Sequence, residues 1–177
     1  MKERPVRKHI RLKGYDYSNA GYYFVTICVQ DGHELLWAEE PVVGAAFGRP
    51  ALSKAGLLID AEIKKIESIY SCVRIDNYVI MPNHVHMMIR LSTNRDMDRR
   101  VPVREMGGRP KAAPTISRIV NQFKGSVSKQ LGYSIWQKLF HDYIIRNEAD
   151  YQRIWQYIDN NPATWTQDDN YVAKEKV

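Results

Sequence analysis

Cysteine is scarce: Cys28 and Cys72 are the only two in 177 residues. They are too few and too far apart for a disulfide framework or a zinc-finger spacing, and read as buried thiols filling core space. No stretch approaches the ~18 consecutive apolar residues of a membrane-spanning helix. The basic start MKERPVRKHIRLKG is not followed by the apolar run of a signal peptide, so the expected location is the cytoplasm, with no membrane partner. Self-similarity at a period of about 20–50 residues is missing too, which removes solenoids and propellers.

What is present is a globular composition, 44% hydrophobic, 26% charged and 11% aromatic, far from the signature of disorder and of a length that suits one domain. The formal charge of +6 is unevenly spread. Residues 1–13 hold six Lys/Arg against Glu3 alone, and the rest of the chain nets only +1. Arg4, Arg7, Lys8, Arg11 and Lys13 therefore form a basic arm, either a solvated tail or a segment that attracts polyphosphate by releasing its counterions. The organisation expected is an arm over 1–20, one domain over 21–165 and a tail over 166–177.

Aromatic and β-branched residues at 22–30 (YYFVTICVQ) predict a strand stopped by Asp31-Gly32. Residues 31–53 lack a sustained period and read as a loop with at most one short strand. From 55 to 70, Ile59, Ile63, Ile66 and Tyr70 make one helical stripe, with Glu62, Lys64, Lys65 and Glu67 mostly elsewhere. Residues 73–81 and 84–91 read as two strands of a hairpin turned at Pro82-Asn83. Between 92 and 114 the chain is basic and broken by Gly and Pro, a mobile loop by composition. Ile116, Ile119, Val120, Phe123, Val127 and Leu131 restore a helical period that Gly132 ends, and the outer face of that helix offers Arg118 and Lys129. Residues 136–146 read as a last strand. Asn147 with Asp150 predicts an N-cap for a final helix through Asn160, closed by Pro162.

This order predicts an α+β fold, a ferredoxin-like antiparallel sheet (βαββαβ) with an additional C-terminal helix. Such a sheet packs its first two helices on one face and leaves the other free for a site. Side chains alternate along a strand, so in HVHMMI the histidines His84 and His86 share one face while Val85, Met87 and Ile89 share the other. With Cα atoms about 6.6 Å apart, the imidazoles can converge on a cation, although two histidines on a wet sheet are equally an ordinary surface. On the final helix Tyr151, Ile154, Trp155 and Ile158 form the core stripe. Tyr157 lies about 100° to one side of it, and Asn161 sits one turn further along that flank. Both can face the histidines, or serve as a border residue and a C-terminal cap. His141 is a spare imidazole with a structural reading.

The words HVH and YIDNNP, with RKHIRLKGYDYSNAGYYFVTICVQ and WQKLFHDYIIRNEADYQRIWQYIDNNP around them, resemble the single-tyrosine transposases of the HUH nuclease superfamily. The likeness is closest to the REP-associated tyrosine transposases. It covers most of the chain and is weakest over 31–53 and 92–114. It implies a metal site of His84, His86 and Asn161 and a nucleophile at Tyr157; Asn161 stands where mobile-element relatives more often carry Gln. It further implies metal-dependent cleavage and rejoining of single-stranded DNA at hairpins through a covalent 5′-phosphotyrosine. The divalent metal implied is Mg²⁺, with Mn²⁺ able to substitute. The donor set of two imidazoles and one amide by itself favours Mn²⁺, Co²⁺ or Ni²⁺. A closed zinc site does not fit, because no fourth protein ligand is apparent.

The competing reading is a catalytically silent module that binds hairpin DNA or RNA on the same fold. The RNA-binding word K/R-G-F/Y-G/A-F-V-x-F/Y is missing, and no H-E-x-x-H or carboxylate cluster supports an unrelated metallohydrolase. Sequence leaves open whether the site is built within one chain or across a homodimer.

Overall fold

The computed structural model describes residues 15–38, 51–92 and 114–171. The basic arm, with Arg4, Arg7, Lys8, Arg11 and Lys13, and most of the 92–114 loop lie outside the described residues. The elements run β1 (Gly21–Cys28), α1 (Lys54–Ile69), β2 (Val73–Ile80), β3 (His84–Leu91), α2 (Ile116–Leu131), β4 (His141–Ile145) and α3 (Glu148–Asn160). A short 3-10 helix, Asn161–Gln167, follows α3. The four strands form one sheet in the order β2-β3-β1-β4, every pair antiparallel, which is the split βαββαβ topology.

The helix ends follow from local chemistry. Ser53, Thr115 and Asn147 each accept a backbone N–H of the first turn, from Gly56, Arg118 and Asp150 respectively. Gly132, at φ 83°, takes the left-handed conformation that ends α2. Gly56 serves a closer need, since a Cβ there would sit 2.2 Å from the Leu36 carbonyl oxygen. None of the described helices is long and apolar enough to cross a membrane.

Alternation along the strands divides the packing into two layers. Tyr23, Val25 and Ile27 of β1 and Val85, Met87 and Ile89 of β3 pack with Ile59, Ile63 and Ile66 of α1 and Ile119, Phe123 and Val127 of α2. The opposite face is not free, contrary to the expectation. Ile154 and Ile158 of α3, with Trp165 after it, bury Val79, Met81, Met88 and Ile145 in a second core. A helix with an apolar stripe must cover something, and the open half of the sheet was the surface left to it. His84 and His86 therefore lie under this layer at 0% and 2% exposure, not on a wet surface.

Two other readings change. The last strand is confined to His141–Ile145; ahead of it Trp136 forms a separate bridge to Val29, and Lys124 Nζ donates to the carbonyls of Gln137 and Lys138 in the gap between them. Cys28 is buried as expected, but Cys72 is only half-buried. The final α-helix ends at Asn160 as expected, and Pro162 sits in the first turn of the 3-10 run that follows, where a missing N–H costs nothing.

Glu62 differs as well. It is buried between α1 and α2, where its carboxylate accepts hydrogen bonds from Lys65 and from Ser126. Burial alone would raise its pKa, but the bonds from Lys65, Ser126 and Gln130 outweigh it and bring it down to about 2. A pKa below its unfolded value gives stability that is complete above the ordinary 4.5 and is lost as pH falls toward 2. Glu62→Gln is expected to cost about 1–3 kcal/mol at neutral pH. Urea unfolding at pH 7 and pH 3 should show the gap from the parent protein shrinking at the lower pH.

Candidate metal and nucleophile site

β3 carries His84 and His86 at alternate positions, with their Nε2 atoms 2.9 Å apart and ring centroids 4.4 Å apart. Each ring is held from behind at Nδ1, His84 by Asn83 Oδ1 at 2.8 Å and His86 by Thr26 Oγ1 at 2.9 Å across the β1–β3 ladder. Phe24 stacks on His86, and Trp165 packs beside His84.

Tyr157 projects from the flank of α3 and is 42% exposed. Its hydroxyl donates to Asp168 Oδ2 at 3.0 Å and lies 3.3 Å from His86 Nε2. Asn161, one turn on, is buried; its Nδ2 donates to Asp168 Oδ2 at 2.9 Å, and its Oδ1 has no hydrogen-bond partner. The helix-flank geometry thus brings Tyr157 and Asn161 to the histidine pair. Arg118 and Lys129 are exposed on α2, across the sheet from this cluster. His141 is exposed at the start of β4, cross-strand from Thr26.

Sequence reasoning missed Asp168, which it assigned to the tail. The 3-10 run after α3 turns the chain back so that the Asp168 side chain is buried beside both imidazoles, 4.0 Å from His84 Nε2. Asp168 Oδ1 accepts from the backbone N–H and the side chain of Asn170, which keeps the segment folded. His84, His86 and Asp168 offer ligand atoms all within 4.8 Å of one another. The only available signal was chemical: two imidazoles and an amide carry no negative charge for a divalent cation, and Asp168-Asp169 is the next acidic pair along the chain.

Charges in the site follow from burial. Desolvation, then its neighbour His86, pushes His84 down to about 3 against the pull of Asp168, and desolvation lowers His86 too. Both rings are neutral at pH 7. Burial works to raise Asp168, but hydrogen bonds from His86, the Asn170 backbone and Asn161 hold its carboxyl well below the usual range. Burial and then the Asp168 charge push the Tyr157 phenol up to about 12. The result is a buried anion beside two neutral imidazoles and an amide oxygen without a partner. Such a donor set suits a divalent cation: borderline nitrogens, one hard carboxylate, and an otherwise costly unpaired oxygen.

No family model matches the chain. A protein of Haemophilus influenzae, described as an uncharacterized protein, is 33% identical over 178 residues, which span 94% of this chain and 93% of that one. Among solved structures, a REP-associated tyrosine transposase bound to a REP hairpin superposes with a TM-score of 0.54 at 19% identity, over 88% of this chain and 74% of its own. The chain therefore belongs to one family with the Haemophilus influenzae protein, and its fold is that of the REP-associated tyrosine transposase.

Proposed function

We propose that the protein is a metal-dependent endonuclease and strand transferase that cleaves and rejoins single-stranded DNA beside a hairpin through Tyr157. The observation that carries this reading is a part-exposed phenol within hydrogen-bond distance of a buried His-His-Asp donor set. The likeness to a transposase bound to a REP hairpin supports DNA as the partner.

His84, His86 and Asp168, with Asn161 Oδ1 beside them, would hold the divalent ion, Mg²⁺ or Mn²⁺. When bound, that ion would supply Lewis acidity to a scissile phosphate and hold it in line for attack. The chain's own part is nucleophilic. Tyr157 Oη forms a bond to phosphorus as the bond from phosphorus to the 3′-oxygen breaks, leaving a 5′-phosphotyrosine and, once protonated by solvent, a free 3′-hydroxyl. Asp168 Oδ2 accepts the phenol's hydrogen bond and orients the hydroxyl, whose proton passes to solvent as the bond to phosphorus forms. Burial and the Asp168 charge raise the phenol to about 12, so it is protonated at pH 7. Phenoxide is also a far better leaving group than a serine alkoxide, so the linkage remains reversible and no ATP is required.

The basic arm, Arg4, Arg7, Lys8, Arg11 and Lys13, is assigned the phosphate grip, which positions DNA without reading its bases. Arg118 and Lys129 would touch only DNA that extends past the edge of the sheet. The test is a denaturing gel of the full chain incubated with a labelled hairpin carrying a single-stranded flank, with and without Mn²⁺. A metal-dependent band of protein-linked DNA is expected, whereas binding without any adduct would return the protein to the silent-module reading.

A further inference from the structure

We propose that Asn83 is a two-ended positioning residue, whose carbonyl end fixes the ligating nitrogen of His84 and whose amino end latches the segment that delivers Asp168. The inference deepens the metal-site reading and rests on it.

Asn83 occupies the β2–β3 turn and is 2% exposed. Its Nδ2 lies 2.8 Å from the carbonyl oxygen of Asn170 and 3.2 Å from that of Gly32. Carbonyl oxygens can only accept, so the amino group must be the end that faces them. Oδ1 is then left facing His84 Nδ1, and an amide oxygen also can only accept. His84 must therefore carry its proton on Nδ1, which leaves Nε2 with a bare lone pair, directed at His86 Nε2 and 4.0 Å from Asp168 Oδ2. One side chain thus selects the tautomer in which His84 can act as a ligand through Nε2.

The amino end closes a different contact. Gly32 lies in the turn after β1, where Asp31 and Gly32 both have positive φ, 57° and 70°. Asn170 lies two residues beyond Asp168, whose carboxylate holds Asn170's own backbone N–H. By bonding both carbonyls, Asn83 ties the returning chain to the sheet end that carries His84, and so brings the anionic donor to the imidazoles. The tether matters because Asp168, the anionic donor, follows a 3-10 segment instead of sitting within a strand or helix of the sheet layers.

The two ends can be separated. Asn83→Ala removes both, whereas Asn83→Asp keeps an acceptor for His84 Nδ1–H and loses both donors. Mn²⁺ affinity by calorimetry and hydrogen exchange of the 168–171 amides, with the β1 and β3 amides as a control for folding, are measured on full-length protein. Asn83→Ala is expected to lose about 10–100-fold in Mn²⁺ affinity and to speed exchange at 168–171 at least tenfold. Asn83→Asp should match that faster exchange while keeping Mn²⁺ affinity at least fivefold above Asn83→Ala. Unchanged affinity and exchange in Asn83→Ala, or an Asp variant equal to Ala in both, overturns the proposal. Should the parent protein bind no Mn²⁺, both the metal-site reading and the His84 half fail, and the exchange result alone decides the latch.

Discussion

Tyr157→Phe is expected to abolish the covalent adduct and strand cleavage, by more than about a thousandfold, while the protein still folds and still binds hairpin DNA. The loss is large because the substitution deletes the atom that forms the bond to phosphorus, and no other hydroxyl takes its place. Tyr151 is the other tyrosine on α3, but it is half-buried, meets Tyr22 edge to face and donates to Asp76 Oδ2 at 3.3 Å. Tyr143 donates to Asp150 from the β4 edge. The structural cost is small: the ring keeps its edge contacts with Phe24 and His86, and only the hydroxyl's bonds to Asp168 and His86 are lost, about 1 kcal/mol. Gel assays of adduct, circular dichroism and DNA binding on the same preparation check each part. Adduct formation at the parent rate would move the nucleophile to another residue.

His84→Ala is expected to lower Mn²⁺ affinity by at least a hundredfold and to remove metal-dependent cleavage with it. Asp168→Ala should be about as severe, because it removes the only negative charge of the donor set. Asn161→Ala should cost less, on the order of tenfold. Asn161 donates to Asp168 through Nδ2, and only its Oδ1 is left to face a cation. Calorimetric titration orders the three variants. Asn161→Ala weakening binding more than Asp168→Ala would favour His84, His86 and Asn161 as the ligand set; no change in any would return the cluster to a purely structural role.

The legible parts of this chain were those written in local periodicity. The stripes of α1, α2 and α3, the alternation in HVHMMI and the caps at Asn147 and Gly132 are short-range signals, and the structure has all of them. The angular offset of Tyr157 and Asn161 from the Ile154–Ile158 stripe was legible for the same reason. What the sequence did not disclose depends on contacts between distant segments. The burial of His84 and His86 comes from Trp165 and α3 closing over them, and Asp168 enters the site only because the chain turns back after Asn161. Glu62, three residues after Ile59 and four before Ile66, borders the apolar stripe of its own helix, and its partner Ser126 comes from distant α2. Residues 136–146 look like one strand by composition, yet the pairing with β1 is interrupted between the Val29–Trp136 bridge and His141, where Lys124 bonds the carbonyls of Gln137 and Lys138.

The central claim is that Tyr157 itself becomes joined to DNA. Trypsin cleaves after Arg153 and Lys174, so residues 154–174 form one peptide that contains Tyr157, Asp168 and a second tyrosine, Tyr171. Mass spectrometry of that peptide, after nuclease trimming of the adduct formed with hairpin DNA and Mn²⁺, should show a 5′-nucleotide phosphate, with fragment ions assigning it to Tyr157. A nucleotide found on Tyr171 or on another peptide, or an unmodified peptide from protein that has cleaved its DNA, would contradict the account.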